Sequence, residues 1–369
     1  MTERLDTTKE SEENIIRKAA EVLRAGGLVI FPTETVYGIG ALATNQEAIA
    51  KLLAYKTRRE GKPLSIAVYD GAMAEQYVEA NEVARNLYEN FLPGPITVIS
   101  HGKHKVANGV ESEHGTLGIR IPDYPLVRNL VKELGEPITA TSANASYKKK
   151  PYTIEDILSN ISEKQKNLID LVLDAGELPK REPSTVVDTT TGEQLVLRQG
   201  DIKLTNTRET ISKTPEETQE IARALMRTYK HYLGYKSFFI ALEGEMGAGK
   251  TEFTKGIALE LGIQTPIQSP TFIIEKEYEI ATVAESYTAT KHPMLYHLDT
   301  WRIVDVENEL DALGIFERIS EGHVFSIEWA NKATDFLSRV SENTIIVWVK
   351  IEHTDTSNSR KITISDFNR

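Results

Sequence analysis

Gly244–Thr251 reads GEMGAGKT, and no other stretch of this chain constrains its fold so tightly. The pattern G-x-x-x-x-G-K-[ST] has physical meaning only where a strand feeds the loop and a helix leaves it. Both flanks agree. Ser237–Leu242 (SFFIAL) reads as a buried strand, and Glu252–Leu261 (EFTKGIALEL) reads as a helix stopped by Gly262. Gly244, Gly247 and Gly249, with Ala248 among them, let backbone N–H groups turn inward around phosphate oxygens, and the helix N-terminus adds partial positive charge. Lys250 then reaches the β- and γ-phosphates of ATP, and Thr251 offers its hydroxyl to Mg²⁺.

A phosphate loop usually follows the first strand of its domain, so a domain begins shortly before Ser237, with about two hundred residues ahead of it. A length of 369 residues suits two domains, and 40% hydrophobic with 26% charged residues gives each half material for its own core. The net charge of −11 argues against a protein that grips nucleic acid through a broad basic face. With no cysteine there is no disulfide, no thiolate nucleophile and no cysteine-ligated zinc or iron–sulfur centre, which suits a reducing compartment. The start, MTERLDTTKESEEN, has no apolar signal core, and no run is long enough to span a bilayer. A cytoplasmic protein without membrane contact is expected.

The first half alternates helical and strand patterns. Asn14–Ala25 carries Ile15, Ile16, Ala19, Val22 and Leu23 at helical spacing, and Gly26-Gly27 stops it before a strand at Leu28–Phe31. Further strands are expected at Leu64–Tyr69, Ile96–Ser100, Leu117–Ile121, Leu171–Leu173 and Gln194–Arg198. Polar, weakly patterned Gln199–Thr214 then reads as a connection, and Thr214-Pro215 with Glu217 reads as the capped start of a helix running to about His231. The expected organisation is a mixed α/β domain over 1–206, a linker over 207–213 and a phosphate-loop α/β domain over 214–369.

Magnesium and an attacking water need carboxylates beside the loop, best placed at the carboxyl ends of parallel strands. Met294–Leu298 reads as a strand delivering Asp299, and His323–Ile327 as one delivering Glu328, followed by Trp329. Ser269-Pro270-Thr271-Phe272 fits a switch segment whose Thr271 senses the γ-phosphate or its Mg²⁺. GEMGAGKT, SPTF, HLDTWR and IEW in this order resemble the TsaE family, the small ATPases of bacterial tRNA threonylcarbamoylation, from about Thr214 onward. Trp301 stands where that family commonly has tyrosine. The resemblance implies that Thr251 and either Asp299 or Glu328 serve Mg²⁺, and that Glu328 and Trp329 line the ATP site.

In the first half, FPTETVYG (Phe31–Gly38) follows a buried strand with a run of hydroxyls and ends in a tight turn at Gly38. Lys56, Arg58, Arg59 and Lys62 concentrate positive charge before Pro63. Ser142-Ala143-Asn144, Arg120 in GIRIP, Ser184 in PSTVVD and Arg198 in VLRQG add polar groups at strand ends, together describing a site for an anionic, hydroxyl-bearing ligand. This set, in this order over about Asn14–Lys203, resembles the TsaC/YrdC family of threonylcarbamoyl-AMP synthases, which implies a twisted mixed-sheet YrdC-like fold. In that family threonine's amine captures bicarbonate or CO₂, and the carbamate attacks the α-phosphate of ATP with release of pyrophosphate. The resemblance assigns Thr33, Thr35 and Tyr37, with Arg58, Arg120 and Ser184, to substrates, and Ser142, Asn144 and Arg198 to the nucleotide. Lys56, Arg58 and Lys62 would neutralise charge on the triphosphate. Ser65 replaces a common histidine after Pro-Leu, and Ser146-Tyr147 replaces a Ser-Gly pair.

The combined resemblance implies a bifunctional protein of tRNA threonylcarbamoyladenosine synthesis, with TsaD-like and TsaB-like partners that contact tRNA. Two other classes are distinguishable. An RNA-binding module would show steep salt dependence and no need for threonine. A small-molecule kinase would turn over ATP in response to a hydroxylated substrate instead of protein partners.

Overall fold

The computed structural model describes residues 2–56, 64–144, 149–204, 207–234, 236–271, 273–280, 293–341, 344–354 and 358–365. The chain divides into two compact units, Met1–Gln194 with Gly200–Lys203, and Leu195–Gln199 with Leu204–Arg369. The expected division at 206 differs from this at Leu195–Gln199 and at Leu204, where the second unit resumes. Leu195, Val196 and Leu197 are buried on the short strand Leu195–Arg198.

The first unit is α/β with two mixed sheets. In one, the order is Glu3–Asp6, Leu171–Asp174, Val29–Phe31, Gly38–Gly40 and Thr141–Ser142, parallel at the first two pairings and antiparallel at the last two. In the other, Thr185–Asp188, Ile96–Gly102, Thr116–Arg120, Ser65–Ala67 and Ile138–Thr139 are neighbours in that order. Helix Glu12–Arg24 starts where the Ser11 side chain accepts the Asn14 N–H, and it buries Ile15, Ala19, Ala20 and Leu23. Gly38 opens a strand and is not the apex of a turn. Glycine is needed because a Cβ would fall 2.9 Å from a ring carbon of Phe31, its register partner.

The second unit has a single seven-stranded sheet, ordered Thr207–Ser212, Arg360–Ser365, Ile345–His353, Phe238–Glu243, Val324–Glu328, Met294–Asp299 and Glu275–Glu279. The four middle strands are parallel, and all but a few of their residues are buried, as near-continuous apolar runs require. The phosphate-loop strand is third from neither edge but central, and register sets Leu242 and Asp299 on either side of Glu328. Phe239 and Phe325 stack at 4.6 Å in the core beneath. Thr207–Ser212, read from its polarity as linker, is an edge strand paired antiparallel with Arg360–Ser365. Five of its six residues are exposed, so no apolar alternation marks it.

Helix Pro215–Tyr229, capped by Thr214 as expected, packs on helix Lys250–Glu260. The helices approach closely at Gly256, where a Cβ would lie 2.3 Å from the Gln219 carbonyl oxygen. Alanine at an ordinary helix position stabilises by about 0.5–1 kcal/mol over glycine, but the backbone here cannot yield without separating the helices. Gly256→Ala is therefore expected to destabilise the protein by about 1–3 kcal/mol, read as a lower denaturation midpoint; an unchanged or higher midpoint would contradict this packing account.

Candidate functional site

At the carboxyl end of the central strand, Gly247 and Gly249 adopt φ of 73° and 111°, a region that side chains disfavour. Gly244 is held by space as well, since a Cβ would meet the Ile351 carbonyl at 2.4 Å. Ala248 is buried, and its carbonyl accepts from Arg360 Nε at 3.1 Å. Sequence reading missed Arg360, which comes from the C-terminal hairpin and carries no local motif. Lys250 Nζ donates to the carbonyls of Gly244 (2.8 Å) and Glu245 (2.9 Å) and lies 4.0 Å over the Trp329 ring. Burial lowers its pKa, opposed by the nearby carboxylates of Glu328 and Asp299.

Those carboxylates are buried and each is met by a hydroxyl. Thr251 Oγ1 donates to Glu328 Oε1 at 2.7 Å, and Thr271 Oγ1 donates to Asp299 Oδ2 at 2.7 Å. Asp299 Oδ1 also accepts the Trp301 N–H at 2.8 Å. Trp329 has a φ of 60°, unusual for a bulky residue, and its ring packs tilted at 36° against Trp301, centroids 4.3 Å apart; the Thr300 hydroxyl donates to the Trp329 carbonyl. The predicted residues Gly244, Gly247, Ala248, Gly249, Lys250, Thr251, Thr271, Asp299, Glu328 and Trp329 thus converge on one end of the sheet.

Whether Mg²⁺ suits this site turns on donor chemistry. Among the described residues no group of three or more His, Cys, Asp or Glu side chains is placed to hold a metal. Mg²⁺ at phosphate sites uses one or two protein oxygens, substrate phosphates and water, and Thr251 with Glu328 supplies such oxygens already 2.7 Å apart. The donor set fits.

In the first unit the FPTETVYG segment is tied by its own hydroxyls. Thr33 Oγ1 accepts the Thr35 and Val36 N–H groups, donates to the Val36 carbonyl at 2.6 Å, and lies 3.0 Å from Thr35 Oγ1. Arg120 Nη2 donates to Glu34 Oε1 at 2.6 Å and reaches Thr35 Oγ1 at 3.5 Å. This ion pair is almost fully buried, and Glu34 Oε2 and Arg120 Nε have no partner among the described residues. Each side chain of the pair thus keeps one buried polar atom without a partner, an arrangement that calls for an explanation. Glu34 carried no signal beyond its place in the motif.

Strand pairing sets Gly38 beside Ser142, so this segment adjoins Ser142-Ala143-Asn144. Lys56 is buried, its Nζ donating to the carbonyls of Ser142 and Asn144 at 2.7 Å each, while Tyr55 Oη donates to the Ala143 carbonyl. Lys56 therefore pins this segment, whereas the basic cluster led to the expectation that it neutralises charge on the triphosphate. Ser184 Oγ and Thr97 Oγ1 lie 2.8 Å apart, both buried. Tyr37 is a correction. Its hydroxyl donates to the Gly176 carbonyl and accepts the Ala175 N–H inside the fold, where burial pushes its pKa up, so it braces strand ends and does not face ligand. Arg198 ends strand Leu195–Arg198, in the segment grouped with the second unit. Arg58, Arg59, Lys62, Ser146 and Tyr147 lie outside the described residues.

Residues 21–200 match the family model Sua5/yciO/yrdC, described as telomere recombination, and residues 212–362 match the threonylcarbamoyl adenosine biosynthesis protein TsaE. The threonylcarbamoyl-AMP synthase of Pyrococcus abyssi is 30% identical over 239 residues, covering 63% of this chain and 69% of that protein. The chain belongs to the Sua5/YciO/YrdC family and continues into a TsaE domain. The Bacillus subtilis threonylcarbamoyl-AMP synthase is 35% identical over 206 residues, covering 54% of this chain and 57% of the relative. The uncharacterized protein YciO of Escherichia coli is 29% identical over 52% of this chain and 93% of its own length. The structure of a doubly substituted Pyrococcus abyssi Sua5 shares the fold, with a TM-score of 0.52 and 23% identity over 96% of this chain and 100% of that one. Among the described residues no helix is long and apolar enough to cross a membrane.

Proposed function

We propose that the Sua5/YciO/YrdC unit makes threonylcarbamoyl-AMP and pyrophosphate from L-threonine, bicarbonate or CO₂ and ATP, and that the TsaE unit is an ATPase supporting transfer of the threonylcarbamoyl group to tRNA. The observation that carries this reading is the joining of the two family domains on one chain, since the TsaE description, threonylcarbamoyl adenosine biosynthesis, and the name of the first unit's relative, threonylcarbamoyl-AMP synthase, share the threonylcarbamoyl group. TsaD-like and TsaB-like proteins would complete the transfer, in the cytoplasm.

The first reaction needs orientation and charge neutralisation, not a covalent intermediate. Threonine's amine adds to bicarbonate with loss of water, giving a carbamate. A carbamate oxygen then forms a bond to the α-phosphorus of ATP as the bond to pyrophosphate breaks. The Arg120–Glu34 pair, which among the described residues keeps one unpaired polar atom on each side chain, is assigned to the threonine end of the site, and Thr35 and Ser184 add hydroxyls. Lys56 holds Ser142 and Asn144 in place for the nucleotide, with Arg198, Arg58 and Lys62 assigned to the phosphates. A product carrying the carbon of labelled bicarbonate, with the mass of threonylcarbamoyl-AMP, would support this reading; its absence from a folded chain given all three substrates would refute it.

In the TsaE unit, Mg²⁺ would neutralise phosphate charge while held by Thr251 and Glu328, with Asp299 orienting Thr271. Glu328→Gln is expected to raise the Mg²⁺ concentration for half-maximal ATP hydrolysis by about tenfold or more. Asp299→Asn should mainly lower turnover. The reverse pattern would make Asp299 the metal carboxylate.

A further inference from the structure

Behind the two carboxylates of the second unit lies a polar layer that a phosphate loop does not require. His297, two residues before Asp299 on the same strand, is wholly buried, and its register partner Ser326 shares a 2.7 Å hydrogen bond with Thr254 Oγ1. His297 Nε2 lies 2.9 Å from Glu328 Oε1, the oxygen that also accepts from Thr251. The other ring nitrogen, Nδ1, is buried and has no partner among the described residues. An imidazole in a dry core with one nitrogen unsatisfied is costly, and an aliphatic side chain would fill the space without that cost. What Nε2 does to Glu328 is the compensating gain. Since Oε1 already accepts a hydroxyl hydrogen, the carboxylate accepts twice and the proton sits on Nε2. Nδ1 is then a bare acceptor, cheaper to leave unpaired than an N–H.

We propose that His297 is a positioning residue of the ATP site, its Nε2–H holding Glu328 in the rotamer at which Oε1 meets Thr251. The proposal rests on the reading above that Thr251 and Glu328 serve Mg²⁺ beside ATP. A glutamate side chain has several alternative rotamers, and the Lys250 ammonium attracts the Glu328 carboxylate. Pinned at Oε1, the carboxylate stays with the hydroxyl and leaves Lys250 to phosphate, the usual work of a partner that orients a metal ligand.

All three tryptophans, Trp301, Trp329 and Trp348, lie in the second unit, so their fluorescence in the full chain reports on that unit. ATP would be titrated in EDTA and in Mg²⁺ with the wild type, His297→Leu and His297→Gln. Expected is a loss of most of the Mg²⁺-dependent gain in ATP affinity in the leucine variant, about ten- to a hundredfold, with affinity in EDTA unchanged. Glutamine, whose amide N–H reaches close to the position of Nε2, should restore the gain. Should the leucine variant fail to fold, His297→Asn, with an amide too short to reach Glu328, takes its place in the comparison. A variant without the donor that keeps the full Mg²⁺ gain would overturn the proposal, as would an equal loss in both buffers, which a merely structural role would give. A wild-type chain that responds to ATP in neither buffer would refute the nucleotide reading itself, a result separable from the others.

Discussion

Lys250→Ala is expected to lower ATP hydrolysis by the second unit by about a hundredfold or more while leaving pyrophosphate release by the first intact. Lys250 is drawn into the phosphate loop, bound to the Gly244 and Glu245 carbonyls and set over Trp329. Burial disfavours its charge and lowers its pKa, opposed in part by the carboxylates of Glu328 and Asp299. Alanine suits the first turn of helix Lys250–Glu260, so the variant should fold. Phosphate and pyrophosphate assays on the same sample separate the two activities. Loss of both in a folded variant would contradict two separate sites.

Arg120→Ala should abolish synthesis by the first unit and also destabilise it. Removing the guanidinium leaves Glu34 buried with neither oxygen paired, which costs about 3–5 kcal/mol. Replacing both partners with apolar residues, Arg120→Met with Glu34→Leu, should recover most of that loss, because the desolvation of two charges vanishes along with their attraction. Synthesis should not recover, since the donor and acceptor for the substrate are gone. Thermal melting and threonine-dependent pyrophosphate release check the two claims. An active double variant would show that the pair is structural only.

The phosphate loop, its strand and its helix were legible because every determinant is local: glycines at fixed spacing, Lys250, Thr251 and apolar flanks within a few residues. Asp299 and Glu328 were legible once that loop was known, as acids ending apolar runs, and adjacent register confirms their proximity. Contacts made across long separations were not legible. Thr207–Ser212 reads as linker because an exposed edge strand needs no buried face, and its partner Arg360–Ser365 lies at the far end of the sequence. Arg360 reaches the loop by the same hairpin. Tyr37 and Lys56 read from their motifs as substrate-site residues, but their polar atoms turn inward to Gly176 and to Ser142 and Asn144, a direction that residue type does not encode. His297 lay in plain view within HLDTWR, yet only the 2.9 Å approach to Glu328 gives it work.

The most direct test is pyrophosphate release by the full chain carrying Lys250→Ala, supplied with ATP and Mg²⁺, with L-threonine and bicarbonate added or withheld in turn. Release that requires both threonine and bicarbonate is the predicted result, and it would place synthesis in the Sua5/YciO/YrdC unit. A folded chain that releases no pyrophosphate under any of these conditions would contradict the account and leave the phosphate-loop unit as the sole nucleotide site.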